Sequence, residues 1–160
     1  MSADREPPVV HRHAVRIACL DSGGRLLMMN WRDPDSGELL WEPPGGGVEP
    51  GESDIEAARR EWFEETGLPD VVDGADRPYV VVNRREYWAG RVVVAEEPVF
   101  LGHWPGVGPE LSRAHLTPNE QVNLVQTRWL ARAELAALPE RVTPDMVATL
   151  RRLDAGGDWI

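Results

Sequence analysis

Glu64 and Glu65 follow Glu61 by three and four residues in a stretch that reads as helix, so the three carboxylates share one face. Ile55, Ala58 and Trp62 fall on a different face, suited to anchoring the helix to a core. A cluster of glutamates is most often a solvated surface. Here local energetics argue otherwise. Like charges at these spacings each cost roughly 0.2–0.5 kcal/mol. Carboxylates in the last turn face the negative end of the helix dipole, which costs about 0.3–1 kcal/mol more. Arg60, four residues before Glu64, offsets part of this. Something outside the helix is needed to stabilise the rest. A hard divalent cation suits, because it takes oxygen ligands and keeps waters that phosphate oxygens can replace.

The helix that must carry these groups is marked at both ends. Ser53 and Glu56 form a capping box, Asp54 and Glu56 complement the positive N-terminal end, and Gly67 supplies the stop, predicting helix over 53–66. Pro43 to Glu52 before it, rich in Pro and Gly, reads as a loop. Strands are predicted at 13–20, where Val15, Ile17 and Cys19 alternate with Arg16 and Ala18, and at 25–32 after the Asp21-Ser22-Gly23-Gly24 turn. Further strands are predicted at 39–42, 79–87, 91–101 and 123–130, with Pro98 arguing for an edge or a break. Gly102 to Asn119 reads as a long loop. Helices are predicted at 132–138 and 144–153, with Thr143 capping the latter and Pro144 at its first position. Residues 1–11 read as a flexible lead-in to a single domain over 12–155.

Composition narrows the function classes. The chain has 160 residues, 42% of them hydrophobic, with a mean hydropathy of -0.38, which describes an ordinary globule. It carries a net charge of -10, from 27 acids against 17 bases. Every base is arginine, which excludes lysine Schiff-base chemistry and a lysine-bearing phosphate loop. So acidic a chain is poorly suited to holding long nucleic acid by its phosphates. A small anionic substrate is compatible with it if a metal or local arginines offset the charge. No apolar run is long enough to span a membrane, and the charged, Pro-rich N-terminus is not an ordinary secretory signal. Cys19 is the one cysteine, which forbids an internal disulfide, makes the cytoplasm the default location, and fits a small core residue.

The stretch from Gly46 to Leu68 resembles the Nudix box, G-x5-E-x7-R-E-U-x-E-E-x-G-U, where U is a bulky aliphatic residue. Gly46, Glu52, Arg60, Glu61, Glu64, Glu65 and Gly67 meet its seven near-fixed positions. At residue frequencies of roughly 5–8% each, a chance match in a chain of this length is on the order of one in a million. Trp62 is the departure, where a smaller aliphatic residue is usual; it bears on helix packing rather than on metal binding. The preceding Trp41 to Gly47 is similar to the family's entry to the box.

The resemblance implies an α+β fold, an α/β/α sandwich with a mixed β-sheet between helices. It implies divalent-metal hydrolysis of a diphosphate linkage in a nucleoside diphosphate derivative. Glu61, Glu64 and Glu65 would ligate Mg²⁺ (Mn²⁺ as the alternative), with Glu52 and the Gly45 carbonyl as further ligands. Arg60 would orient Glu64 within the catalytic set. The general base would be Glu61 or, from a late loop, Glu120. Arg84 and Arg85 are candidate phosphate contacts. Trp88 and Trp104 are candidates for stacking on a base, whereas Trp31, Trp41, Trp62 and Trp129 read as core. His103 and His115 lack metal-ligand spacing. The partner implied is a small nucleotide, with a homodimer common among relatives. Two other classes compete: a non-catalytic nucleotide-sensing module, which usually accompanies lost box glutamates, and isomerisation of an isoprenoid diphosphate, for which Cys19 is poorly placed.

Overall fold

The computed structural model describes residues 5–73 and 77–156. Its strands form one eight-stranded mixed sheet. In chain order they are β1 (Val9–Leu20), β2 (Leu26–Arg32), β3 (Leu39–Glu42), β4 (Gly45–Gly47), β5 (Val80–Trp88), β6 (Arg91–His103), β7 (Leu124–Leu130) and β8 (Arg141–Val142). The helices are α1 (Asp54–Thr66), α2 (Pro118–Asn123), α3 (Arg132–Ala136) and α4 (Pro144–Gly156). The main path runs β5-β6-β1-β2-β3-β8, with β4 paired to β1 and β7 to β2. The β1–β6 and β3–β8 pairs are parallel and the others antiparallel.

Alternation along β1 builds two cores. Val15, Ile17 and Cys19 face α1, packing with its Ala57, Ala58 and Trp62. Ala18 and Leu20 face the other way, into the cluster that holds Met146 and Leu153 of α4. The sheet is thus covered on both faces, the α/β/α arrangement expected. Trp62 is fully buried and its Nε1 donates to the Pro69 carbonyl at 2.9 Å, so the unusual box residue fits its packing position.

Several local expectations are corrected. β1 begins at Val9, so Val9–His11, expected in the lead-in, pair with Val92–Val94 of β6. The loop before α1 contains β4, whose three glycines pair with Ala14–Arg16. A Cβ on Gly45 would lie 2.0 Å from the Val15 carbonyl oxygen, so only glycine lets the strands approach this closely. Of the edge or break expected at Pro98, the break is found: β6 lies in the interior of the sheet, and its pairing with β1 lapses at Glu97 and Pro98 and resumes at Val99. The long loop is shorter than expected because α2 forms at its end, with Thr117 and Glu120 as a second capping box. Thr143 precedes α4, but its carbonyl rather than its hydroxyl accepts the Met146 N–H.

Candidate active site

Helix α1 forms where its caps place it. Ser53 Oγ accepts the Glu56 N–H at 3.3 Å, Glu56 Oε2 accepts the Ser53 N–H at 2.8 Å, and Gly67 closes the helix at φ 68°. Its inner face then presents Glu61 and Glu65 to a cavity of about 260 Å³. Glu65 is 3% exposed and Glu61 9%. The Gly45 amide donates to Glu65 Oε1 at 3.1 Å. A Cβ on Gly46 would come within 2.5 Å of Glu61 Oε1, so the carboxylate rests directly against bare backbone.

Arg60 ties the loop to the helix. Its Nε and Nη2 donate to the two oxygens of Glu52 at 2.7 and 2.9 Å. Nη2 also reaches the Gly47 carbonyl at 2.8 Å, and Nη1 reaches Glu61 at 2.9 Å and Glu64 at 3.2 Å. These bonds hold the Glu52 carboxyl below its usual range and push the guanidinium's own pKa up. Glu52 and Glu64 are therefore held by Arg60 and do not line the cavity. Arg60 does not line it either, and acts by position.

Glu61 and Glu65 are different. Burial pushes both pKa values up, Glu65 well up; the charge of Glu61 adds to this at Glu65, that of Glu64 adds to it at Glu61, and the nearby Glu120 adds to it at both. Arg60 opposes the rise at Glu61 and Arg16 opposes it at Glu65. Glu120 lines the same cavity from α2, while its Oε1 accepts the Thr117 N–H at 2.8 Å. It sits on a short helix rather than in the loop where it was expected.

The floor is a buried ion lattice that sequence reasoning missed. Arg16 meets Glu42 at 3.1 Å and Glu97 at 3.3 Å. Arg84 meets both of these at 3.2 Å and Glu86 at 2.8 Å. Arg84 thus lines the cavity, already engaged by carboxylates, while Arg85 lies on the opposite, exposed face of β5. The signal was available at Arg16, a charge inside an otherwise apolar strand run, and an inward charge in a strand needs partners. A buried ion lattice contributes little net stability, so retaining one beside a cavity points to a positional role.

The remaining candidates scatter. Trp88 lines the cavity, and so does Trp31 from the buried core position expected of it; Trp104 packs under α1 instead. His103 pairs with Asp73 at 3.3 Å and His115 lies against the Phe63 ring. Cys19 is buried, its thiol pushed up to about 12 by that burial, which removes it as a nucleophile.

Two buried oxygen-donor side chains, flanked by a third carboxylate and abutting bare glycine backbone, fit a hard cation. Among the described residues no three acidic, histidine or cysteine side chains already converge on one point. A cation that uses one or two carboxylates and completes its shell with water and substrate oxygens needs no more than this.

The sequence model of the NUDIX domain matches residues 10–153. The chain belongs to the Nudix family. It is 30% identical to the RNA pyrophosphohydrolase of Roseobacter denitrificans, over 84% of this chain and 83% of that one. Against the RNA pyrophosphohydrolase of a Bradyrhizobium species it is 31% identical, covering 84% of each. The fold resembles the MutT protein of Methanosarcina mazei, with a TM-score of 0.62 and 21% identity over 96% of this chain and 99% of that one. A MutT NUDIX hydrolase from Burkholderia pseudomallei gives a TM-score of 0.60 at 24% identity, over 90% and 98% of the two chains. The Nudix chain described here is a pyrophosphohydrolase that cleaves a diphosphate linkage. Among its described residues no helix is long and apolar enough to cross a membrane.

Proposed function

We propose that this Nudix hydrolase acts on a small nucleoside diphosphate derivative, with Mg²⁺ as its working cation and Glu61 and Glu65 as the protein ligands. The observation that carries this is the pair of buried, mutually repelling carboxylates at one wall of the cavity. When bound, a divalent cation supplies positive charge to the diphosphate oxygens and favours in-line attack by water. Arg60 binds Glu52 and Glu64 and fixes Glu61 in place. Glu120 is the base this arrangement favours over Glu61, because it faces the cavity from another element and is not needed as a ligand. The lattice of Arg16, Arg84, Glu42 and Glu97 holds the floor rigid beneath the substrate. The net charge of -10 weighs toward a small nucleotide over a long RNA. A cytoplasmic setting fits the reduced, buried Cys19.

The test is a panel of nucleoside diphosphate derivatives plus a short 5′-triphosphorylated RNA, with Mg²⁺ or Mn²⁺, following released phosphate or pyrophosphate. Glu61→Gln and Glu65→Gln are expected to lower turnover by about 10²–10⁴ with the fold intact. Glu120→Gln is expected to cost more than about tenfold; a smaller loss returns the base to Glu61. Tight nucleotide binding with no turnover across the panel would replace the enzyme with a sensing module.

A further inference from the structure

The cavity changes character along three strands at once. On β3 it passes from Glu42 to Leu40, on β5 from Arg84 to Trp88, and on β6 from Glu97 to Val93. Those steps are two, four and four residues, or roughly 7, 13 and 13 Å at about 3.3 Å per residue. One end therefore holds the carboxylates and the ion lattice, and the other is walled by Trp31, Leu40, Trp88 and Val93. Asn119 and Asn123 of α2 also line the cavity, each with an amide that can donate and accept.

Trp88 is held there at a cost. It ends β5, and the next residue, Ala89, sits at φ 52°, where a side chain is strained. The neighbouring turn stabilises this conformation: the buried Asp33 carboxylate accepts the Ala89 N–H at 3.1 Å, and Tyr87 Oη donates to Asp35 at 2.5 Å. So fastened, Trp88 packs against the cluster of Met29, Trp31, Leu116 and Leu124. The Trp31 indole N–H has no acceptor among the described residues, so packing alone holds that ring. Strain tied down by a buried carboxylate at a cavity wall is the pattern of a residue placed for a ligand.

We propose that Trp31 and Trp88 form the wall that holds the aromatic base of the substrate, with Trp88 as the residue that sets its affinity. This rests on the hydrolase reading of the same cavity. Every base offers a flat ring face on which a tryptophan can stack.

The test measures binding of AMP and of ribose 5-phosphate, each with Mg²⁺, by calorimetry on the wild type, Trp88→Leu and Trp88→Phe. The same variants are assayed for KM and kcat on ATP. Wild type is expected to bind AMP more tightly than ribose 5-phosphate. Trp88→Leu should weaken AMP about tenfold or more, in line with one stacked base, and leave ribose 5-phosphate within about twofold. Trp88→Phe should recover most of the difference. KM for ATP should rise more than kcat falls, because the ring contacts ground state and transition state alike. Equal losses for both ligands, or an AMP affinity untouched by Trp88→Leu, would overturn the wall. If no diphosphate is hydrolysed but Trp88 still separates AMP from ribose 5-phosphate, the hydrolase reading falls and the base wall stands.

Discussion

Glu61 and Glu65 are costly where they are: buried, adjacent and of like charge. Although Arg60 reaches Glu61 at 2.9 Å, carboxylates kept in such a place are poised for an external cation, and the residue beside Glu61 shows how closely its position is set. Gly46 leaves room for the Glu61 carboxylate and for nothing else. Gly46→Ala would bring a methyl within 2.5 Å of Glu61 Oε1, and the flexible end of the glutamate would move aside. The expected outcome is a loss of roughly 10²-fold in kcat/KM, the scale of a displacement of about 1 Å at a reacting centre. Thermal stability should change little, since a side-chain tip gives way before backbone does. A variant that melts early and retains its specific activity would place Gly46 in folding instead.

Among the elements, the segment of 104–117 is the one whose behaviour the pattern of Gly and Pro misrepresents. It is tied down along its length: Trp104 N–H donates to the Leu20 carbonyl at 2.8 Å, the Gly106 carbonyl accepts the Ser22 N–H at 3.0 Å, Gly108 N–H donates to Asp21 at 3.0 Å, Ser112 N–H to the Thr66 carbonyl at 3.0 Å, and Trp129 Nε1 to the Pro109 carbonyl at 2.9 Å. Asp21 is the hub. Its carboxylate also accepts the Gly23 and Arg25 N–H groups, each at 2.9 Å, and pairs with the Arg25 guanidinium. Burial works against its ionised form, yet these donors outweigh it and hold the carboxyl below its usual range. A depressed carboxyl contributes stability above its unfolded pKa, near 3.9, and that contribution disappears as pH falls through the lower folded value. Asp21→Asn should therefore cost about 1–3 kcal/mol at pH 7, with the gap between the two melting curves closing below about pH 4. A gap that stayed constant from pH 7 to pH 3 would mean that the charge plays no part.

For the whole molecule, α1, β4, β6 and α2 meet at the cavity, so a cation held there would stabilise all of them together. Binding to the folded chain alone raises stability by about 2.7 kcal/mol at a hundredfold excess over Kd. Mg²⁺ should accordingly raise the melting temperature of the wild type in a concentration-dependent way and leave Glu65→Gln unmoved. In EDTA the order should reverse, with Glu65→Gln at least as stable as wild type, because it buries an amide in place of a charge. Equal Mg²⁺ shifts in both proteins would detach Glu65 from the cation site.

What the chain determined by itself was local. The capping box and Gly67 bound α1, the three-and-four spacing aligned its glutamates, and alternation along β1 set two core faces, because each of these depends on residues a few positions apart. The family resemblance rests on the same short stretch and so was legible with it. Contacts between distant segments were decided only in three dimensions. Arg16 with Glu97, Asp33 with Ala89, and Trp31 with Trp88 join segments about 80, 56 and 57 positions apart, and no periodicity encodes such pairings. Arg84 and Arg85 show the same divide. Neighbours in sequence, they point to opposite faces of β5, and only the placement of β5 against β6 decided which of them reached the cavity.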